Sequence, residues 1–284
     1  MKYTLLFLLT LTTTIVVAQT PAAQITVTGK GKPVLFIPHI GCPPEMWKDV
    51  VKELAKRNTC HTVSLAGFAG SAPIDSAYTR QYISFLQQYM QSKKLKEITV
   101  VGMNYGGFLA LQLAQHPSVG KLVVIDTYPF LAQVLNPKAT LQDAQTYATQ
   151  MKAGYLSPSD KDFEAIVYEN GKAMITNDTI KAKTYAQWVA LSDRKTIATA
   201  LADQMAADLR PILPFIKVPV LIIGTWYFGK TYKKMPIEEG SRMHEEFYRT
   251  LPNHTIRLTE TAKDFIHWDD PEWFVNELKS FITK

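Results

Sequence analysis

Asn104 stands midway between Gly102 and Gly106, and Gly107 follows directly, so a carboxamide is presented on a turn whose flanking positions carry no Cβ. A second group of chemically capable side chains lies near the C-terminus in the run Asp264-Phe265-Ile266-His267-Trp268-Asp269-Asp270-Pro271. Asp126, at the end of a β-branched run, and His39, just after another, complete the set. A carboxylate or imidazole among these can serve as general base on a water or a substrate proton, while a carboxamide can orient the reactant. It cannot attack one, because an amide is a poor nucleophile with no accessible ionisation to activate it. His39, Asp264 and His267 are of metal-ligating types, but their spacing matches no dedicated metal motif, and neither a metal nor another cofactor is expected.

The elements that must hold these groups follow from hydrophobic periodicity. Short apolar runs rich in β-branched residues at 34–37, 62–65, 98–102 and 121–126 alternate with helical stretches at 44–57, 80–91 and 107–115, the pattern of a parallel sheet covered on both faces. Asn104 then falls between a buried strand and the helix that follows it. From about 128 to 214 the alternation stops, and helical periodicity rich in Ala, Gln and Leu is punctuated by Pro129, Pro137, Pro158, Pro211 and Pro214. The sheet pattern returns with strands at 218–224 and 255–258 and helices at 238–251 and 271–283, Pro271 suiting the first turn of the last. Ligands bind at the carboxyl edge of open α/β sheets, so a helical insertion there is expected to act as a lid.

The strand, tight turn and helix around Val100-Val101-Gly102-Met103-Asn104-Tyr105-Gly106-Gly107 resemble the nucleophile elbow of the α/β-hydrolase family, GxSxG, with Asn104 in place of the serine. Phe36-Ile37-Pro38-His39-Ile40-Gly41 resembles the family's oxyanion loop, and the 264–271 run resembles the loop that carries the catalytic histidine, with Asp264 at the histidine position. The usual acid position falls in Thr225-Trp226-Tyr227-Phe228, which holds no carboxylate; Asp126 occupies the alternative acid site of some members. The resemblance covers nearly the whole chain. It implies an α/β fold with a mostly parallel sheet flanked by helices and a helical lid, divided into a core of 19–127 and 215–284 and an insertion of 128–214. It also implies oxyanion donors at the Tyr105 and Ile40 amides, while the hydroxyl and imidazole that the chemistry requires are both replaced. Two functional readings follow. In one, the chain is a degenerate hydrolase binding a small apolar molecule with a carbonyl or carboxylate, in a pocket lined by His39, Ile40, Met103, Tyr105, Trp226 and Tyr227. In the other, it is an active non-serine hydrolase or lyase using Asp264, His267 or His39 as base with Asn104 orienting the reactant. For His267 the plainer expectation is a histidine packed at the start of the last helix.

At the N-terminus, Lys2, an uncharged apolar run and the small residue Ala18 have the layout of a secretory signal peptide over 1–18, too short for a stable membrane anchor, so a secreted or periplasmic location is expected. The formal charge of +6 comes from lysines interspersed with acids, which does not make a nucleic-acid groove; the expected partner is a small-molecule ligand or substrate. Cys42 and Cys60 flank a helical stretch that would separate them beyond disulfide reach, and two buried free thiols are expected.

Overall fold

The computed structural model describes residues 20–283, so the leader expected over 1–18 lies outside the described residues. Among these residues seven strands form one sheet: β1 (Ala23–Gly29), β2 (Lys32–Ile37), β3 (Asn58–Leu65), β4 (Ile98–Met103), β5 (Val119–Ile125), β6 (Val220–Thr225) and β7 (His254–Thr259). Their order is β1-β3-β2-β4-β5-β6-β7. Only β1 runs antiparallel, pairing with β3 from Ala23 opposite Leu65 to Gly29 opposite Thr59. β4 and β6 are buried at every position. That is why both read as continuous apolar runs instead of alternating ones.

Among the described residues twelve helices flank or cap the sheet: α1 (Lys48–Leu54), α2 (Tyr78–Ser92), α3 (Tyr105–Leu113), α4 (Ala132–Leu135), α5 (Leu141–Leu156), α6 (Asp160–Asn170), α7 (Thr179–Ala190), α8 (Arg194–Ala206), α9 (Tyr227–Lys233), α10 (Ile237–Tyr248), α11 (Ile266–Asp269) and α12 (Pro271–Thr283). Between β5 and β6 the described chain is wholly helical, α4 to α8 with a π turn at Gly171–Ile175 and a 3-10 turn at Arg210–Phe215. The helices of this segment start where side-chain oxygens satisfy their free amides. Thr140 and Asp143 form a reciprocal capping box on α5, and Ser159, Asp178 and Asp193 cap α6, α7 and α8.

The segment is tied to the sheet through the loops after β2 and β3. Ser192 Oγ donates to the Gly41 carbonyl at 3.2 Å and accepts from the Ala69 amide at 2.7 Å, and Asp193 N donates to the Gly67 carbonyl at 2.8 Å. Most buried apolar residues form one core around the sheet. A second, smaller cluster of Phe130, Ala132, Ala139, Ala144, Ala148 and Met205 holds α4 and α5 against α8. Cys42 and Cys60 are both free and buried. Among the described residues no helix is long and apolar enough to cross a membrane.

Three sequence expectations are corrected in detail. α3 begins at Tyr105, two residues before the expected start, because the Asn104 side chain caps it. β3 begins at Asn58 and takes in Cys60. β1, α9 and α11 are additional to the elements read from the sequence.

Candidate functional site

The bend between β4 and α3 is built by glycine. A Cβ on Gly102 would stand 2.2 Å from the Gly106 carbonyl oxygen, and one on Gly106 would stand 2.4 Å from that of Ile37. The chain therefore reverses from strand to helix with backbone against backbone, and Asn104 at its tip takes φ 51° and ψ −112°. Such a left-handed φ is uncommon outside glycine, and Asn accepts it more readily than most residues. Asp126, at the end of β5, has φ 44° and thus a second strained backbone one strand away.

Asn104, Asp126 and Asp264 open into one cavity of about 360 Å³ at the carboxyl edge of the sheet. Its apolar wall includes Leu131, Val134, Phe228, Met243 and Phe247, with Trp226 and Met235 on the α9 side; Tyr128, Gln204 and His244 add polar atoms. Trp226 is fixed by its indole N–H donating to the Met235 carbonyl at 3.1 Å, and its ring lies over Gly229 and Gly240, where any Cβ would collide with it. Asp264 is positioned through its backbone: the Asp264 amide donates to the Met174 carbonyl at 3.1 Å and the Phe265 amide to that of Ile175 at 2.8 Å. The Asp269 carboxylate braces the same loop, accepting from the amides of Asn177 and Lys263, each at 3.0 Å.

Asn104 Oδ1 accepts a 2.8 Å hydrogen bond from the Tyr105 amide. That amide is the donor the family resemblance assigns to a substrate oxyanion, so the carboxamide fills the place a ligand oxygen would take. The Ile40 amide, the other expected donor, has no acceptor among the described residues. Neither of the two histidines expected near the elbow supplies the missing base there. His39 is buried between Tyr185 and Phe265, with ring centroids 5.7 and 5.1 Å away, and burial pushes its pKa down to about 4. His267 is packed 4.9 Å from Trp47, centroid to centroid, and burial pushes its pKa down to about 3. The Met46 backbone is near the His267 ring but outside hydrogen-bond geometry, and both ring nitrogens lack a partner. Neither histidine lines the cavity.

Of the other expected lining residues, Ile40 and Met103 are buried away from the cavity. The Tyr105 hydroxyl donates to Thr79 Oγ1 at 2.7 Å, which in turn donates to Asp203 at 2.6 Å, so this ring belongs to the core. Tyr227 is half-buried under the Lys263 ammonium, 5.3 Å from its ring centroid. Asn104, Asp126, Asp264 and Trp226 are thus brought together, while His39, His267, Ile40, Met103, Tyr105 and Tyr227 do not line the space between them. Gln204, Tyr128, Met174 and His244 are lining residues that sequence reasoning missed.

One thiol does lie near an imidazole: Cys42 Sγ is 4.0 Å from His39 Nδ1. The pair cannot form a thiolate nucleophile. His39 Nδ1 is 3.0 Å from the Ile40 carbonyl and must carry its proton there, so it cannot accept one from the thiol. Burial raises the Cys42 pKa well above the ordinary thiol range. Among the described residues no group of three His, Cys, Asp or Glu side chains could share a metal ion.

The electrostatics centre on the two carboxyls. Burial pushes Asp126 up to about 6. Burial first, then the Asp126 charge, raises Asp264 well above the usual carboxylate range. Both shifts favour the neutral acid in the folded state. A raised acid contributes its full stabilisation below the unfolded pKa and loses it as pH rises through the folded value. Replacing Asp126 with Asn removes the cost of ionising it. Asp126→Asn is expected to be more stable than the parent at pH 7.5 by on the order of 1–3 kcal/mol. The gain should open between about pH 4 and 6 and shrink towards zero at pH 4, measured by urea unfolding at each pH. A constant difference across that range would contradict a buried, raised carboxyl.

The chain is 23% identical over 267 residues to a pimeloyl-[acyl-carrier protein] methyl ester esterase of Aliivibrio fischeri (strain MJ11), covering 90% of this chain and 95% of that one. Among solved structures it is similar to MenH from S. aureus, with TM-score 0.73, 17% identity and coverage of 92% and 98% of the two chains. An esterase from Exiguobacterium antarcticum gives TM-score 0.73 at 21% identity, with coverage of 92% and 96%. These identities establish the fold alone. The profile of the Alpha/beta hydrolase family matches residues 34–277, and by that match, together with the mostly parallel sheet and the elbow at Asn104, the chain belongs to the α/β-hydrolase family.

Proposed function

We propose that this chain is an exported member of the family that has lost serine-type turnover and retains a small, largely apolar molecule in the cavity beneath its helical insertion. In this reading residues 1–18 are a leader removed on export, 19–127 and 215–284 form the core, and 128–214 act as a lid. The observation that carries it is the hydrogen bond from the Tyr105 amide to Asn104 Oδ1, 2.8 Å long, which occupies the oxyanion donor with the very residue that replaces the nucleophile. The cavity is of ligand size, and Leu131, Val134, Met174 and Gln204 of the insertion form one side of it. Of the two polar ends first expected for the ligand, a carboxylate is the poorer fit, since it would face Asp126 and Asp264 without the Tyr105 donor.

The test is paired. A fluorophosphonate probe should leave the protein unmodified by mass, and p-nitrophenyl esters should not be turned over above background. 2-Phenylethanol should raise the melting temperature, and Leu131→Trp, which fills the cavity from the insertion, should abolish that rise. A phosphonyl adduct on residue 104 would sink the reading.

The raised carboxyl pair favours a second reading. A carboxyl with pKa about 6 beside one held higher is suited to general acid–base work on a bound water, with Asn104 Nδ2 orienting the reactant. This version requires turnover that resists fluorophosphonate and disappears in Asp264→Asn.

A further inference from the structure

The cavity described above is rich in hydrogen-bond acceptors and poor in cations. Neither the Asp126 nor the Asp264 carboxylate receives a hydrogen bond among the described residues. Gln204, projecting from α8 into the same space, is only 3% exposed, and its buried Oε1 has no partner. A buried polar atom without a partner costs about 1–3 kcal/mol, so Gln204 Oε1 is an acceptor left short of a donor beside the cavity.

The surrounding groups do not neutralise the pair. The charge of Lys263 favours the ionised form of its neighbour Asp264, but burial outweighs it and the ammonium donates to the carbonyls of Lys172 and Thr176, not to the carboxylate. Lys233 is exposed at the cavity rim and bonds to neither carboxylate. His244 donates Nδ1 to the Gly240 carbonyl at 2.9 Å, and burial lowers its pKa, which favours the neutral ring. Tyr128 and Tyr248 face Asp126, Asp269 adds negative charge behind Asp264, and none of the three can supply a counter-charge.

We propose that the cavity binds small molecules in which a protonated amine is carried on an apolar body, the ammonium lodging against Asp126, Asp264 and the Gln204 amide. An ammonium brings three donors and a positive charge to a site that offers acceptors and negative charge. The apolar body then lies along Leu131, Val134, Phe228, Met243 and Phe247. Binding favours the ionised carboxyls and therefore releases protons, which couples affinity to pH in a definite direction: tighter as pH rises through the Asp126 value of about 6. The inference rests on the ligand-binding reading of the cavity and names the class of molecule it takes.

The experiment is isothermal titration of the mature chain with 2-phenylethylamine, 2-phenylethanol and phenylacetate, matched in their apolar part, at pH 8 and pH 5. At pH 8 the amine should bind at least about 10-fold tighter than the alcohol, with phenylacetate weakest. At pH 5 the advantage of the amine should shrink several-fold. Asp126→Asn and Asp264→Asn should each bring the amine-to-alcohol ratio towards one, with folding checked by circular dichroism, and Gln204→Leu should weaken the amine. The pH comparison on the unaltered chain keeps the test decisive if a variant misfolds. Equal binding of amine and alcohol at pH 8, or tighter binding of phenylacetate, overturns the amine assignment and leaves the cavity reading standing. Binding of none of the three overturns both.

Discussion

The double variant Asn104→Ser/Asp264→His is expected to hydrolyse p-nitrophenyl butyrate at least about 100-fold faster than the parent chain, since a single freed oxyanion donor is worth that much. Three structural facts argue for it. Removing the carboxamide frees the Tyr105 amide, which now donates to Asn104 Oδ1 at 2.8 Å. The backbone at 264 is pinned by the Met174 and Ile175 carbonyls, so a histidine there would project from the position Asp264 now holds. Asp126, whose charge is felt at Asp264, stands ready to orient the new imidazole although the usual acid position, within Thr225-Trp226-Tyr227-Phe228, holds no carboxylate. Either single variant should stay near the parent, because a hydroxyl without a base and a base without a hydroxyl are each inert, and members of such a unit act non-additively. Initial rates and a burst of acyl-enzyme would report the outcome. A parent chain as fast as the double variant, or a folded double variant with no burst, would refute the account of the missing activity.

Gly102→Ala is expected to destabilise the fold by about 3 kcal/mol or more, against the small gain that Gly to Ala ordinarily brings inside a strand. The added methyl would meet the Gly106 carbonyl oxygen at 2.2 Å, its carbon at 2.5 Å and the Gly107 nitrogen at 2.7 Å. All three are backbone atoms of the first turn of α3, so no rotamer can yield. Separating β4 from α3 would also displace Asn104 and with it one wall of the cavity. Gly154→Ala is the matched control: it lies within α5 with no atom within 4 Å of its added Cβ, and should gain roughly 0.5–1 kcal/mol. Urea midpoints for the two variants should move in opposite directions; a Gly102→Ala midpoint near the parent's would mean the elbow is slack.

What the sequence made legible is what is local. β4 and β6 are buried along their whole length, and their β-branched runs say so without further context. Asn104 and Asp126 sit within one residue of a strand end, so knowing the strand places the side chain. Asp264 and His267 are three residues apart, but α11 starts between them; one opens into the cavity and the other turns back to Trp47. β1 escaped notice because it is an edge strand with only Ala23 fully buried, and Val27 is 50% exposed, so no apolar face marks it. α9 reads as an aromatic loop, and its helix is held by Trp226 lying over Gly229 and Gly240, a contact no local pattern announces. Gln204, Tyr128 and His244 come from α8, the β5–α4 loop and α10, and they meet only through packing that periodicity does not specify.

The small cluster joining α4 and α5 to α8 has a kinetic consequence. Four of its six members are alanines, so each buries little apolar area, and although α5 lies close along α8 the cluster is far smaller than the main core. Leu131 and Val134, which close the cavity on that side, are carried by this part. Partial detachment of α4 and α5 is therefore expected to cost less than opening the sheet, whose strands β4 and β6 are buried along their length. It gives a guest a way in and out while the sheet stays intact, so amide hydrogens in 130–156 should exchange with solvent sooner than those of β4, β5 and β6.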